Sequence, residues 1–154
     1  MEGLDLSLAA LFAGLALTEE VQRRIAAEGF ADARFGHGFV VQHLVAGPLA
    51  IGDLARAMDV TQQRASKATA ELEALGYVRR EPDPADARVR RIALTERGWG
   101  AIEAARRARA AVVGELRERL GADRVAAAEA LLREVLRETG ADVAVAARRV
   151  RLPV

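Results

Sequence analysis

Residues 51–94 read IGDLARAMDVTQQRASKATAELEALGYVRREPDPADARVRRIAL. In its first part Ile51, Leu54, Ala55 and Met58 recur at i, i+3, i+4 and i+7, the spacing of a short amphipathic helix of about two turns. Asp59-Val60-Thr61 breaks that pattern, and Thr61 is a residue type suited to cap a new helix. In the new helix Ala65, Ala68, Leu72 and Leu75 form one apolar stripe, and Gly76 ends it. A short helix, a turn of three or four residues and a second helix make a helix-turn-helix. The face opposite the stripe carries Gln62, Gln63, Arg64, Ser66, Lys67 and Glu71.

Beyond Gly76, YVRRE and RVRRIALT read as two strands. Between them lies PDPADARVRR, residues 82–91, with two prolines, two aspartates and three arginines. It is too polar for core. Pro82 and Pro84 limit its conformations, so less entropy is lost when it docks. A helix-turn-helix followed at once by a hairpin is a winged helix. Its second helix is slim enough for a major groove about 12 Å wide, where amide and guanidinium groups read base edges. Its hairpin reaches the flanking minor groove, whose negative potential attracts arginine. Arg79, Arg80, Arg90 and Arg91 suit phosphates. Asp86, two residues before Arg88, is placed to hold that guanidinium. Asp83 and Asp86 suit a loop that orients an arginine better than a simple phosphate clamp.

The rest of the chain is consistent with this centre. At 154 residues it has the length of one domain with room for an oligomerisation element. It has no Cys and only His37 and His43, so disulfides, thiol chemistry and a closed zinc site are not expected; nor is a cofactor. Lys and Arg number 23 against 22 acids, a net charge of +1, so any nucleic-acid binding must come from local charge placement. Lys67 is the only lysine; arginine forks suit phosphates and guanine edges. With no nucleophile–base pair, glycine-rich phosphate loop or metal cluster in the sequence, an enzyme is not expected.

At the N-terminus LDLSLAALFAGLAL, residues 4–17, is shorter than a membrane span and lacks a basic leader; a soluble, cytoplasmic protein is expected. A helix over about 6–27 carries Leu4, Leu8, Leu11 and Leu15 at helical spacing, with Leu6, Phe12 and Leu17 on other faces. A helix apolar nearly all round is buried on more than one side. A second copy of the chain is the expected cover, since symmetric homodimers are the commonest oligomers. In FADARFGHGFVVQHLVAGPLAI, residues 30–51, Phe35, Phe39 and His43 share one face, and Gly47-Pro48 is a helix stop. Gly36 and Gly38 weaken the start; His37 between them reads as exposed and uninvolved. Phe12, Phe35, Phe39, His43 and Trp99 are candidates for an effector-pocket wall, though such residues equally build cores. Thr95 is placed to cap a helix over 96–120 with Ile102, Ala105, Val112, Val113, Leu116 and Leu120 inward. After Gly121 a last helix runs to about Thr139, with Val125, Ala128, Leu132 and Val135 inward. The tail 140–154 fits either weak alternation or a helix.

The central stretch resembles the MarR family of bacterial transcriptional regulators. That family's pattern, Leu-Glu-x-x-Gly-x-Val, then Asp-Pro-x-Asp-x-Arg, then Leu-Thr-x-x-Gly, is met by Leu72, Glu73, Gly76 and Val78, by Asp83, Pro84, Asp86 and Arg88, and by Leu94, Thr95 and Gly98. The resemblance implies a mainly α fold with a small β-hairpin wing and dimerisation helices at both ends. The expected parts are 1–47 (N-terminal dimerisation and support helices), 48–95 (DNA-binding lobe) and 96–154 (C-terminal dimerisation helices). It also implies a homodimer on a pseudo-palindromic double-stranded operator. Thr61, Gln62, Gln63, Arg64, Ser66 and Lys67 would form the recognition helix. Arg79, Arg80, Asp86, Arg88 and Arg90 would form the wing, with Arg88 in the minor groove and Asp86 its supporting acid. A small-molecule effector between lobe and dimerisation helices would relieve repression. Peroxide sensing through cysteine is excluded by composition. The other reading of the same shape is a ligand- or protein-binding module that does not use DNA.

Overall fold

A computed structural model of the chain describes residues 3–147 and Arg149. Its elements in order are α1 (Leu6–Ile25), a π turn (Ala26–Phe30), α2 (Phe35–Val41), a 3-10 turn (Gln42–Leu44), β1 (Leu49–Ala50), α3 (Ile51–Met58), α4 (Gln62–Ala74), β2 (Val78–Pro82), β3 (Arg90–Leu94), α5 (Glu96–Leu120), α6 (Ala122–Glu138) and α7 (Asp142–Ala146). Of the ambiguous tail, 142–146 is helical, and Arg148 and residues 150–154 lie outside the described residues.

The lobe forms where sequence periodicity and caps agree. Asp59 takes a left-handed conformation, φ 55° and ψ 47°, which Asp tolerates better than most side chains, and so turns the chain from α3 into α4. The Thr61 hydroxyl oxygen accepts from the Arg64 N–H at 3.2 Å, filling one of the open donors of the first turn of α4. Gly76 at φ 77° ends α4, and the Tyr77 N–H reaches back to the Leu72 carbonyl at 2.9 Å, as in a glycine-terminated helix. The expected stripe on α4 is corrected at one position. Thr69 is fully buried beside Ala65 and Leu72, and its hydroxyl donates within its own helix toward the Ala65 and Ser66 carbonyls. Burial of a hydroxyl is tolerable because it stays hydrogen-bonded. Ala68 and Leu75 are partly buried at the edge.

The wing is more than a hairpin: the sheet has three strands in the order β1-β3-β2. β2 and β3 pair antiparallel from Val78 opposite Leu94 to Pro82 opposite Arg90, and β1 adds Leu49 opposite Ile92. Val40, Leu44, Leu54, Leu72, Tyr77, Val78, Ile92 and Leu94 form the lobe's core. Each large aliphatic buried here contributes about 1.5–3 kcal/mol.

Outside the lobe, α1 lies against α5. The sequence points to large residues as the inner side of α5, but its buried positions are Gly98, Ala104, Ala108 and Val112. Small side chains let the two helices approach closely, since interaxial distance follows the residues at the contact. No described residue of α6 is buried, and Leu131 and Leu132 are exposed. On α1, Phe12 is 55% and Leu15 57% exposed, with Leu8 and Leu11 also open. Among the described residues no helix is long and apolar enough to cross a membrane.

Candidate nucleic-acid interface

On α4 the side chains of Thr61, Gln62, Gln63, Arg64 and Lys67 are exposed, and Ser66 is half-buried. Gln63 and Lys67 are four residues apart and lie on one face of the helix. Thr61 closes the helix, so its oxygen has a structural task as well as a surface one.

The wing loop is built by its acids. The Asp83 N–H donates to the Val89 carbonyl and the Val89 N–H to the Asp86 carbonyl, both at 2.9 Å. Asp83 Oδ1 accepts from the Ala85 N–H at 2.8 Å, and Asp86 Oδ1 from the Arg88 N–H at 3.0 Å. Two successive Asx turns therefore fix the loop. The expectation that Asp86 holds the Arg88 guanidinium is corrected: its carboxylate holds the Arg88 backbone, and positions that side chain only indirectly. Asp83 also lies 3.6 Å from Arg91, whose guanidinium donates to the Pro48 carbonyl, tying β3 to the start of β1.

The other wing arginines divide sharply. Arg79 donates to the Leu94 carbonyl at 3.0 Å and to Glu81 at 2.9 Å. Arg80 pairs with Glu73 of α4 at 3.0 Å. By contrast Arg64 and Lys67 on α4, and Arg88 and Arg90 on the wing, have exposed side chains without an ion pair or hydrogen bond among the described residues. In a chain whose charges nearly cancel, these four cations are left uncompensated on two adjoining elements. Uncompensated, exposed guanidinium and ammonium groups are what a phosphate backbone neutralises.

The lobe joins α5 at a polar knot. The Thr95 hydroxyl donates to the Gly76 carbonyl at 2.6 Å and accepts from the Gly98 N–H at 3.0 Å. Tyr77 O–H donates to Asp32, which also receives Arg97 at 2.9 Å; the Arg97 guanidinium lies 4.8 Å over the Tyr77 ring. The hydrogen bond from Tyr77, with Arg97 beside it, holds the Asp32 carboxyl below its usual range. Burial, reinforced by Asp32, pushes the Tyr77 phenol up to about 12.

A cavity of about 590 Å³ opens between α1, α2 and α5. Of the expected pocket residues, Phe35 and Phe39 line it; Phe12, His43 and Trp99 do not. Phe12 and Trp99 are exposed on α1 and α5. His43 sits half-buried in the 3-10 turn. Sequence reading passed over Arg34, His37 and Arg109, which line the cavity. The signal was there in FGHGF: glycines on both sides leave the imidazole free to turn inward.

The chain matches the MarR family model over residues 37–89. No curated protein matches it. Among solved structures it is similar to MepR, a transcription regulator of the Staphylococcus aureus multidrug efflux pump MepA (TM-score 0.68, 21% identity, 88% of this chain and 99% of that one). It is similar also to wild-type MarR from E. coli (0.61, 22%, 88% and 99%) and to the YusO protein of Bacillus subtilis (0.60, 25%, 82% and 91%). With the matched region spanning the helix-turn-helix and wing loop, and the flanking helices completing the same fold, the chain is assigned to the MarR family of winged-helix transcriptional regulators.

Proposed function

We propose that the protein is a homodimeric, sequence-specific double-stranded DNA-binding regulator, and a repressor relieved by a small molecule. The observation that carries this reading is the placement of the unpaired cations Arg64, Lys67, Arg88 and Arg90 on α4 and the wing. The α4 helix enters a major groove with Gln62, Gln63, Arg64, Ser66 and Lys67 toward the bases. Arg88 enters the flanking minor groove and Arg90 contacts phosphate, while Arg79 and Arg80 chiefly hold the wing in shape. The exposed leucines and Phe12 of α1, with those of α6, meet a second copy. Residues 1–47 and 96–154 then form one dimerisation body around the 48–95 lobes. Two recognition helices so joined meet half-sites about one helical turn apart. A ligand in the cavity between α1, α2 and α5 changes how the lobe sits on that body, and the helices cease to fit together.

The test is selection of duplexes from a random pool by the purified protein. The expected product is a pseudo-palindrome whose affinity falls steeply with salt, with a log–log slope of about −0.9 per phosphate neutralised. A flat salt dependence with no enriched sequence would favour a winged-helix module that does not use DNA.

A further inference from the structure

The cavity is lined by three arginines and a histidine, Arg34, Arg106, Arg109 and His37, and by no Asp or Glu. Arg109 has no ion-pair or hydrogen-bond partner among the described residues, and Arg106 pairs with Glu103, which lies outside the lining. The remaining wall is mostly aliphatic and aromatic, including Val21, Ile25, Phe39 and Val112. This chemistry fits an anion with an apolar body.

Two of the lining residues do something else as well. Arg34 Nη1 lies 3.0 Å and His37 Nε2 3.4 Å from the same oxygen, Oε1 of Glu71, and Glu71 belongs to α4. The Arg34 backbone N–H donates to His37 Nδ1 at 3.2 Å. The imidazole therefore carries its hydrogen on Nε2, facing Glu71. The His37 side chain is 12% exposed, that of Glu71 42% and that of Arg34 75%. Exposed ion pairs of this kind are weakly held. The first turn of α2, with Gly36 and Gly38 on either side of His37, has low helix propensity and is easily rearranged. No other carboxylate bonds Arg34 or His37.

We propose that Glu71 is the point through which the cavity acts on α4: an anionic ligand with an apolar body takes Arg34 and His37 from Glu71, and α4 is released from α2. The proposal rests on the reading of α4 as the DNA-reading helix for its consequence, but the release itself is independent of DNA.

The experiment uses the full chain, with 2-naphthoate as probe and 2-naphthamide as its uncharged counterpart. In fluorescence titration the naphthoate binds at least about tenfold more tightly than the amide, a ratio within ordinary charge-pair effects. Equal binding of the two, or none, overturns the ligand class. At saturating naphthoate, amide exchange in residues 62–74 accelerates in the parent protein and is unchanged by the probe in Glu71→Gln and in Arg34→Gln. An unresponsive parent, or variants that respond as the parent does, overturn the coupling. On selected duplex, naphthoate lowers the parent's affinity about tenfold and leaves that of Glu71→Gln where it was without probe. If the parent binds no duplex, the DNA reading fails by itself, and the exchange measurement still decides the role of Glu71.

Discussion

At the scale of single residues, partners decide what a charge is for. Arg79 and Arg88 are the same side chain nine positions apart on one hairpin, yet Arg79 is committed to the Leu94 carbonyl and Glu81 and Arg88 is bonded only through its backbone. Arg88→Ala should weaken operator binding by about 1–3 kcal/mol, roughly tenfold or more, while thermal unfolding stays near that of the parent. A gel-shift isotherm unchanged by this substitution would remove Arg88 from the interface. Arg79→Ala should instead lower unfolding temperature and weaken all sequences alike. The polar knot gives a pH signature with a definite sign. Asp32 titrates below its ordinary value in the fold, so its stabilisation is complete above about pH 4 and fades as pH falls through the lowered pKa. Tyr77 titrates above its ordinary value, at about 12, so its stabilisation is complete below pH 10 and fades as pH rises toward 12. Denaturant unfolding of Tyr77→Phe should show a flatter alkaline limb between those values, and a loss at neutral pH of about 1.5 kcal/mol for a hydrogen bond to a charged acceptor. Parallel pH profiles for parent and variant would contradict the assignment.

At the scale of elements, legibility followed length and capping. α3 and α4 were readable because both carry a full amphipathic repeat bounded by Asp59, Thr61 and Gly76, whose backbone roles the structure reproduces. β2, β3 and the bounds of α5 were readable for similar reasons. β1 was not, since two residues carry no alternation and the strand exists only because β3 offers an edge. The inner face of α5 was misjudged because hydrophobic size suggests burial, whereas close approach to α1 selects Ala104 and Ala108. The recognition-helix and wing residues were legible from motif spacing; the cavity's Arg34 and His37 were not, because their role depends on a helix 34 residues away along the chain. One motif residue now has a physical reason. At Gly98 an added Cβ would collide with the Tyr77 carbonyl oxygen and crowd Leu94. Gly98→Ala should therefore push α5 off the lobe, with a cost on the order of 1–3 kcal/mol or more from overpacking, read as a lower midpoint in urea. Gly114 on the same helix has nothing near it. Gly114→Ala should hold or raise the midpoint, since alanine is the better helix former by about 1 kcal/mol. Equal effects at the two sites would show that helix propensity, not the contact with Tyr77, governs position 98.

At the scale of the whole molecule, the lobe closes its own core and the ends do not. Leu8, Leu11, Phe12 and Leu15 on α1, with Leu131 and Leu132 on α6, leave apolar side chains open on both terminal segments, where a soluble monomer rarely exposes a large contiguous patch. A second copy supplies the cover, and dimerisation is then a condition of function rather than an addition to it. One lobe offers four unpaired cations; two lobes on a common frame convert the second half-site contact into an intramolecular one. Replacing Leu15 by Asp puts a charge in the middle of that face without touching the lobe. Sedimentation should move from twice the chain mass to the chain mass. Far-UV circular dichroism should keep most of its helical signal, because the Val40–Leu44–Leu54–Leu72 core lies elsewhere. Affinity for the full operator should fall about 10²–10⁴-fold, the range expected when linked binding is lost, while affinity for an isolated half-site stays within a few-fold of the parent's. A monomeric Leu15→Asp protein that still bound the full operator like the parent would show that one lobe suffices, and the two-lobe geometry would have to be abandoned.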